Sequence, residues 1–147
     1  MTPTDDLLRL ENQLCFALVT AARNVVALYR PILEPLGLTH PQYLVMLALW
    51  ERAPRTLNDL AVDLAMEPAT ASPLVKRLEA DGLVARQRST EDERRLEITL
   101  TAAGAALRER AVGVPHQVMA AVGMGIDEIA ALRDGLGPFA GRRPDLG

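Results

Sequence analysis

Few residues in this chain are equipped for chemistry. Among 147 residues there is one cysteine, Cys15, two histidines, and 16 cations of which only Lys76 is lysine. A single thiol excludes an intramolecular disulfide, and one cysteine with two histidines is too few for a structural zinc site built from those types. Guanidinium is the default cation, and its planar fork suits phosphate oxygens and guanine edges. These cations gather. Lys76, Arg77, Arg86 and Arg88 fall within residues 74–88 beside Glu79 and Asp81, and Arg94 and Arg95 follow Glu91, Asp92 and Glu93. By charge alone they are equally an ordinary solvated face. The two serines, Ser72 and Ser89, lie in no nucleophile-elbow sequence, and Gly123-Met124-Gly125 lacks the dinucleotide fingerprint. Neither an enzyme nor a bound cofactor is expected.

Composition narrows the field further. The size fits one domain, and 49% hydrophobic residues can fill a core. A net charge of −3 excludes a uniformly basic coat, though not a local basic surface, and 3% aromatics argues against a stacking platform for single strands. The longest uninterrupted apolar run, Tyr43 to Trp50, is far short of a membrane span, and MTPTDDLLRL lacks the order of a signal peptide. A soluble cytoplasmic protein with no membrane partner is expected.

Several elements must position these residues. From Asp5 to Tyr29 no proline or glycine intervenes, and leucines, valines and alanines recur at steps of three and four. That pattern predicts one long helix, apolar round most of its circumference, which a domain this small can hardly bury without a second subunit. Pro31, Pro35 and Gly37 should end it. Thr39 caps a helix through Pro41 to Trp50, Thr56 opens a short helix from Leu57 to Ala65, and Glu67-Pro68 starts a third reaching Ala80. Leu57, Leu60, Ala61, Leu64, Leu74, Val75 and Leu78 should face the core. Pro73 requires that third helix to begin late or to bend. Period-two alternation over Leu83–Arg88 and Arg95–Leu100 predicts an antiparallel hairpin with a polar tip. Thr101 caps a further helix, interrupted by Gly113 and Pro115. Helical periodicity then resumes to about Leu136, and 137–147 reads as a tail.

The fold class is therefore mainly α with a small β-hairpin wing. A winged helix-turn-helix over 39–101, with its wing near 83–100, joins dimerisation helices at 5–36 and 102–136 in a single domain. In such a layout the third helix lies in the DNA major groove while the hairpin reaches the flank. Thr70 and Ser72 sit in its first turns, where side chains meet base edges, although both residue types also serve as plain caps. Lys76, Arg77, Arg86, Arg88, Arg94 and Arg95 are the candidate DNA contacts. Asp92 is expected to pair with Arg94 and orient it toward the minor groove.

The stretch Glu67 to Arg95, with LVKRLEADGLV and RQRSTEDERR and the following LTAAG, resembles the MarR family of dimeric winged-helix repressors. The segments LENQLCFAL and YRPILEPLGLTHPQYLVMLALWE, with the single early cysteine, resemble its organic-hydroperoxide-sensing, one-cysteine OhrR-like branch. The similarity covers about residues 8–112. It implies a homodimer on a pseudo-palindromic double-stranded operator. It also implies that Cys15 is a peroxidatic sensor hydrogen-bonded by side chains of the partner subunit. Tyr29 matches one such tyrosine. His40 and Val19 stand where the family often has two more, and only Thr70 and Pro73 keep the usual recognition-helix residues.

By periodicity alone Cys15 reads as a small buried hydrophobe. As a sensor it must be a thiolate to attack a peroxide, and burial opposes that. Tyr29 and His40 are the expected donors. Oxidation gives a sulfenic acid, then a mixed disulfide with a small thiol, or overoxidation. The resulting bulk in the dimer seam would respace the recognition helices and release the operator. The competing reading keeps the fold, makes Cys15 structural, and has a small aromatic or phenolic ligand release the DNA.

Overall fold

The computed structural model describes residues 3–139. The expected single N-terminal helix is three pieces. Helix α1 (Pro3–Leu7) gives way to a 3-10 turn (Leu10–Asn12), and α2 runs from Leu14 to Leu33. Arg9 and Gln13 are extended and break the ladder. The break is held by side chains that satisfy carbonyls the helix has abandoned. Asn12 Nδ2 donates to Asp6 O at 2.6 Å, and Gln13 Nε2 donates to Leu7 O at 2.7 Å and Arg9 O at 2.9 Å. Amide side chains compete with a backbone helix in this way. The far end also differs, because α2 continues through Pro31 to Leu33, whose side chain is fully buried. Gly37, at φ 73°, then makes the left-handed turn that ends this region.

The middle of the chain follows the expected order. Helix α3 (His40–Glu51) starts with a reciprocal capping box: Thr39 Oγ1 accepts from Gln42 N, and Gln42 Oε1 accepts from Thr39 N. Helix α4 (Leu57–Asp63) is capped by Thr56, whose hydroxyl accepts from Asp59 N at 3.1 Å. Helix α5 (Pro68–Ala80) begins on time and continues through Pro73, so the bond that Pro73 cannot donate to Ala69 is forgone. Its buried face is Ala71, Val75 and Leu78, with Leu74 only partly covered.

The hairpin pairs β2 (Val84–Arg88) with β3 (Leu96–Leu100), Arg86 opposite Ile98. A third strand, β1 (Arg55–Thr56), joins the far edge of β3, giving the order β1-β3-β2. Two residues are too few to show alternation, so pattern could not reveal it. Helices α6 (Ala102–Ala111), α7 (Val114–Val122) and α8 (Ile126–Gly135) follow, and Gly137–Phe139 form a 3-10 turn. The rest of the expected tail, 140–147, lies outside the described residues.

One core joins these pieces. Leu33, Met46, Leu49, Leu60, Leu78, Val84 and Val114 are its fully buried centre. Gly104 lets α6 cross the hairpin base: a Cβ there would stand 2.0 Å from the carbonyl oxygen of Leu83. Trp50 Nε1 donates to the Gly104 carbonyl at 2.9 Å and ties α3 to the same crossing.

Helix α2 is the exception to good burial. Leu33 alone of its residues is buried, while Leu14, Phe16, Val19, Val25 and Val26 are exposed within one chain. By length and composition alone Leu14–Leu36 would even cross a membrane, a possibility that the count of uninterrupted apolar residues did not raise.

Candidate nucleic-acid interface and cysteine site

Helix α5 presents Thr70 and Lys76 to solvent and leaves Ser72 half-covered. No side chain caps α5, so neither hydroxyl is spent on that role. The candidate cations divide into two groups. Arg77 pairs with Asp81 one turn on at 3.5 Å, and Arg95 reaches across from the wing to Asp59 of α4 at 3.8 Å. Arg88 Nη1 donates to the Glu93 carbonyl at 3.1 Å, inside the wing tip. Arg86, on strand β2 of the hairpin, is half-buried. Its Nε lies 3.6 Å from Glu79 Oε2, too long for a hydrogen bond, and it finds no other partner. Lys76 and Arg94 carry no such ion pair among the described residues and stand out into solvent.

The wing tip is built differently from the expected Asp92–Arg94 ion pair. Asp92 Oδ1 accepts from the backbone N–H of Arg94 at 3.0 Å, an Asx turn that shapes the loop and leaves the guanidinium outward. Buried Ser89 completes the turn, its Oγ accepting from Glu91 N and Asp92 N. Arg55 was likewise missed. It is buried, donates to the Arg52 carbonyl and pairs with Asp63, fastening β1 to α4. A lone arginine before a short helix gives no sequence signal of this kind.

Cys15 is exposed in the single chain. The break at Gln13 places it second in α2 rather than deep in a longer helix. Gln13 makes no side-chain cap, so the first N–H groups of α2 remain open beside the thiol. Such N–H groups favour a negative charge next to them.

Tyr29 and His40 do come together. Their rings meet edge-on with centroids 4.9 Å apart, and Tyr43 joins at 5.9 Å from Tyr29. Tyr43 follows His40 by three residues, a spacing that puts both on one helix face, so it was legible in principle. Burial pushes the Tyr29 phenol above its ordinary value and the His40 imidazole below its own. Burial, then the neighbouring Tyr29, raises Tyr43. Burial thus favours the neutral form of all three. Within one chain this cluster cannot touch Cys15, because Tyr29 lies 14 residues further along α2, about 21 Å at 1.5 Å per residue.

Residues 38–96 match the MarR family. The chain is 43% identical over 114 residues to the organic hydroperoxide resistance transcriptional regulator of Bacillus subtilis, covering 78% of each protein. It superposes on reduced AbfR of Staphylococcus epidermidis bound to DNA with TM-score 0.74 at 35% identity, covering 92% of this chain and 95% of that one. It superposes on the repressor CouR of Rhodococcus jostii bound to a 23-mer duplex with TM-score 0.81 at 26% identity, covering 90% and 96%. These relatives are transcriptional regulators, not enzymes. The chain belongs to the MarR family and is a DNA-binding transcriptional regulator of winged-helix fold.

Proposed function

We propose that the protein is a homodimeric cytoplasmic repressor that senses organic hydroperoxides through Cys15 and then releases its operator. The observation that carries this reading is the separation within one chain. An exposed thiol at the open start of an apolar, uncovered helix lies far from the Tyr29–His40 cluster that the resemblance makes its partner. A second copy covers the apolar face of α2 and brings Cys15 to Tyr29 and His40 of the partner subunit. The name of the Bacillus subtilis relative supports the same signal.

The chemistry follows from those groups. The Cys15 thiolate attacks one peroxide oxygen, the O–O bond breaks, and the alkoxide leaves and takes a proton to become the alcohol. The sulfur is left as a sulfenic acid, oxidised by two electrons. A small thiol then forms a mixed disulfide and releases water. Neutral Tyr29 and His40 each offer one hydrogen to the sulfur anion. The added bulk sits in a seam that packs too densely to absorb it, so the recognition helices move out of register with half-sites about one DNA turn apart. In this reading Thr70 and Ser72 face base edges. Lys76, Arg77, Arg88, Arg94 and Arg95 face phosphates and grooves, while Arg86, on β2, is half-buried.

Cys15→Ser tests the reading. It should bind the operator like the wild type and stay bound after cumene hydroperoxide and a small thiol. Release of that variant would end the sensor assignment. Intact mass spectrometry after one equivalent of hydroperoxide should show one added small thiol, or added oxygen, on Cys15.

A specific feature favours the second reading, release by a small ligand. A cavity of about 550 Å³ opens between α2, α3 and α5, with Arg30, His40, Gln42 and Arg77 on its walls. Displacement from DNA by a salicylate-like acid, unchanged in Cys15→Ser, would favour it.

A further inference from the structure

We propose that α5 reads its half-site through an apolar rib, the Ala69 methyl and the Pro73 ring, set against thymine C5-methyl groups. These two residues, rather than a charged fork, then determine base preference at the centre of the contact. This rests on the reading that α5 lies in the major groove, and not on the dimer or on any chemistry of Cys15.

The orientation of α5 carries the inference. Ala71, Val75 and Leu78 are 0%, 1% and 0% exposed and fix the face turned to the core. At 3.6 residues per turn, Ala69 and Pro73 lie within about 30° of the direction opposite that face, while Thr70 and Ser72 stand roughly 70–90° off it, one to either side. Ala69 and Pro73 are exposed, and Ser72 is half-covered. The side chains aimed most directly outward are thus a methyl and a ring, neither with a hydrogen-bonding group.

The first two turns hold no other strong reader. Residues 67–75 are EPATASPLV, without the Arg, Lys, Asn or Gln that take guanine or adenine bidentately, and Glu67 lies before the helix. Lys76 and Arg77 come only in the third turn, and Arg77 is paired with Asp81. Thymine is the one base with an apolar group on its major-groove edge. Ala69 and Pro73 gain by covering that methyl, whereas against another base they would leave polar edge atoms without partners. Neither side chain loses rotamer freedom on docking. They stand one turn apart, about 6 Å along the axis. That is close to two base-pair steps of about 3.4 Å, so the rib matches two thymines spaced that far apart.

The test begins with wild-type protein enriching its sites from random duplex DNA at fixed salt. Deoxyuridine then replaces thymine one position at a time in the enriched half-site, which removes the methyl and keeps the base pair. One or two thymines should each lose affinity about fourfold, the worth of burying a methyl-sized group. Ala69→Gly removes the protein's methyl. Its cost to the helix weakens binding to every duplex alike, so the readout is the ratio of thymine to uracil affinity. That ratio should fall toward one at a single position and hold elsewhere. An enriched half-site without thymine, uracil tolerated at every position, or a ratio that Ala69→Gly leaves intact would overturn the proposal and leave the groove reading standing. Failure to enrich any duplex overturns both.

Discussion

At the scale of the residue, the thiol site is decided by where α2 begins. With Cys15 in the middle of a long helix, only side-chain donors could favour its anion. With Gln13 extended, the N–H groups of the first turn would add to Tyr29 and His40 in the proposed dimer. His40→Phe removes one donor and keeps a ring against Tyr29. It should slow oxidation of Cys15 by organic hydroperoxide several-fold, read by stopped-flow kinetics at fixed pH. An unchanged rate would take His40 out of the site. The imidazole also leaves a signature in stability. Its folded-state value lies below its ordinary 6.5 because of burial, so the unfolded chain binds the proton more readily. Its contribution is present above pH 6.5 and falls away as pH drops below that value toward the folded one. Denaturant titrations of wild type should lose stability over that window more steeply than those of His40→Phe.

At the scale of the element, the wing is a braced hairpin rather than a loose arm. Ser89 and Asp92 fix its tip through backbone N–H groups, and Arg95 ties it toward Asp59. Lys76 and Arg94 are the exposed candidate cations with no ion pair among the described residues, so in the proposed reading they are free to meet phosphate. Changing either to alanine should flatten the slope of log affinity against log salt by about 0.9 for each subunit's lost phosphate contact, with little change in melting temperature. Gly104→Ala should do the reverse. Its Cβ meets the Leu83 carbonyl at 2.0 Å, and backbone cannot yield as a flexible side chain can. A loss of about 1–3 kcal/mol is expected, seen as a drop of several degrees in melting temperature.

At the scale of the whole molecule, one chain is visibly unfinished. Its longest helix turns Leu14, Phe16, Val19, Val25 and Val26 outward, and the C-terminal helices add Val112, Ile126 and Leu132. Burying such side chains is worth about 1.5–3 kcal/mol each, so a second copy is the natural cover. Phe16→Asp leaves the single-chain core untouched. It should convert dimer to monomer in light scattering and lower operator affinity at least a hundredfold, because two half-sites can then no longer be held at once.

Much of this was legible in the residues themselves. Capping threonines at 39, 56 and 101 announced three helices, and alternation over 83–88 and 95–100 announced the hairpin, because these signals are local and each residue carries its own. The clustering of cations around the third helix and wing was equally plain. What sequence could not decide was which charges are committed. Arg86 and Arg94 look alike in a string, yet one lies half-covered near Glu79 and the other is free at a tip, a difference made by long-range packing. The break at Gln13 also escaped it, since amide side chains folding back on Leu7 and Arg9 override an unbroken helical period. Only the folded chain shows that Tyr29, His40 and Tyr43 share one cluster while Cys15 stands at the far end of the same helix, because proximity across elements is a property of the tertiary structure.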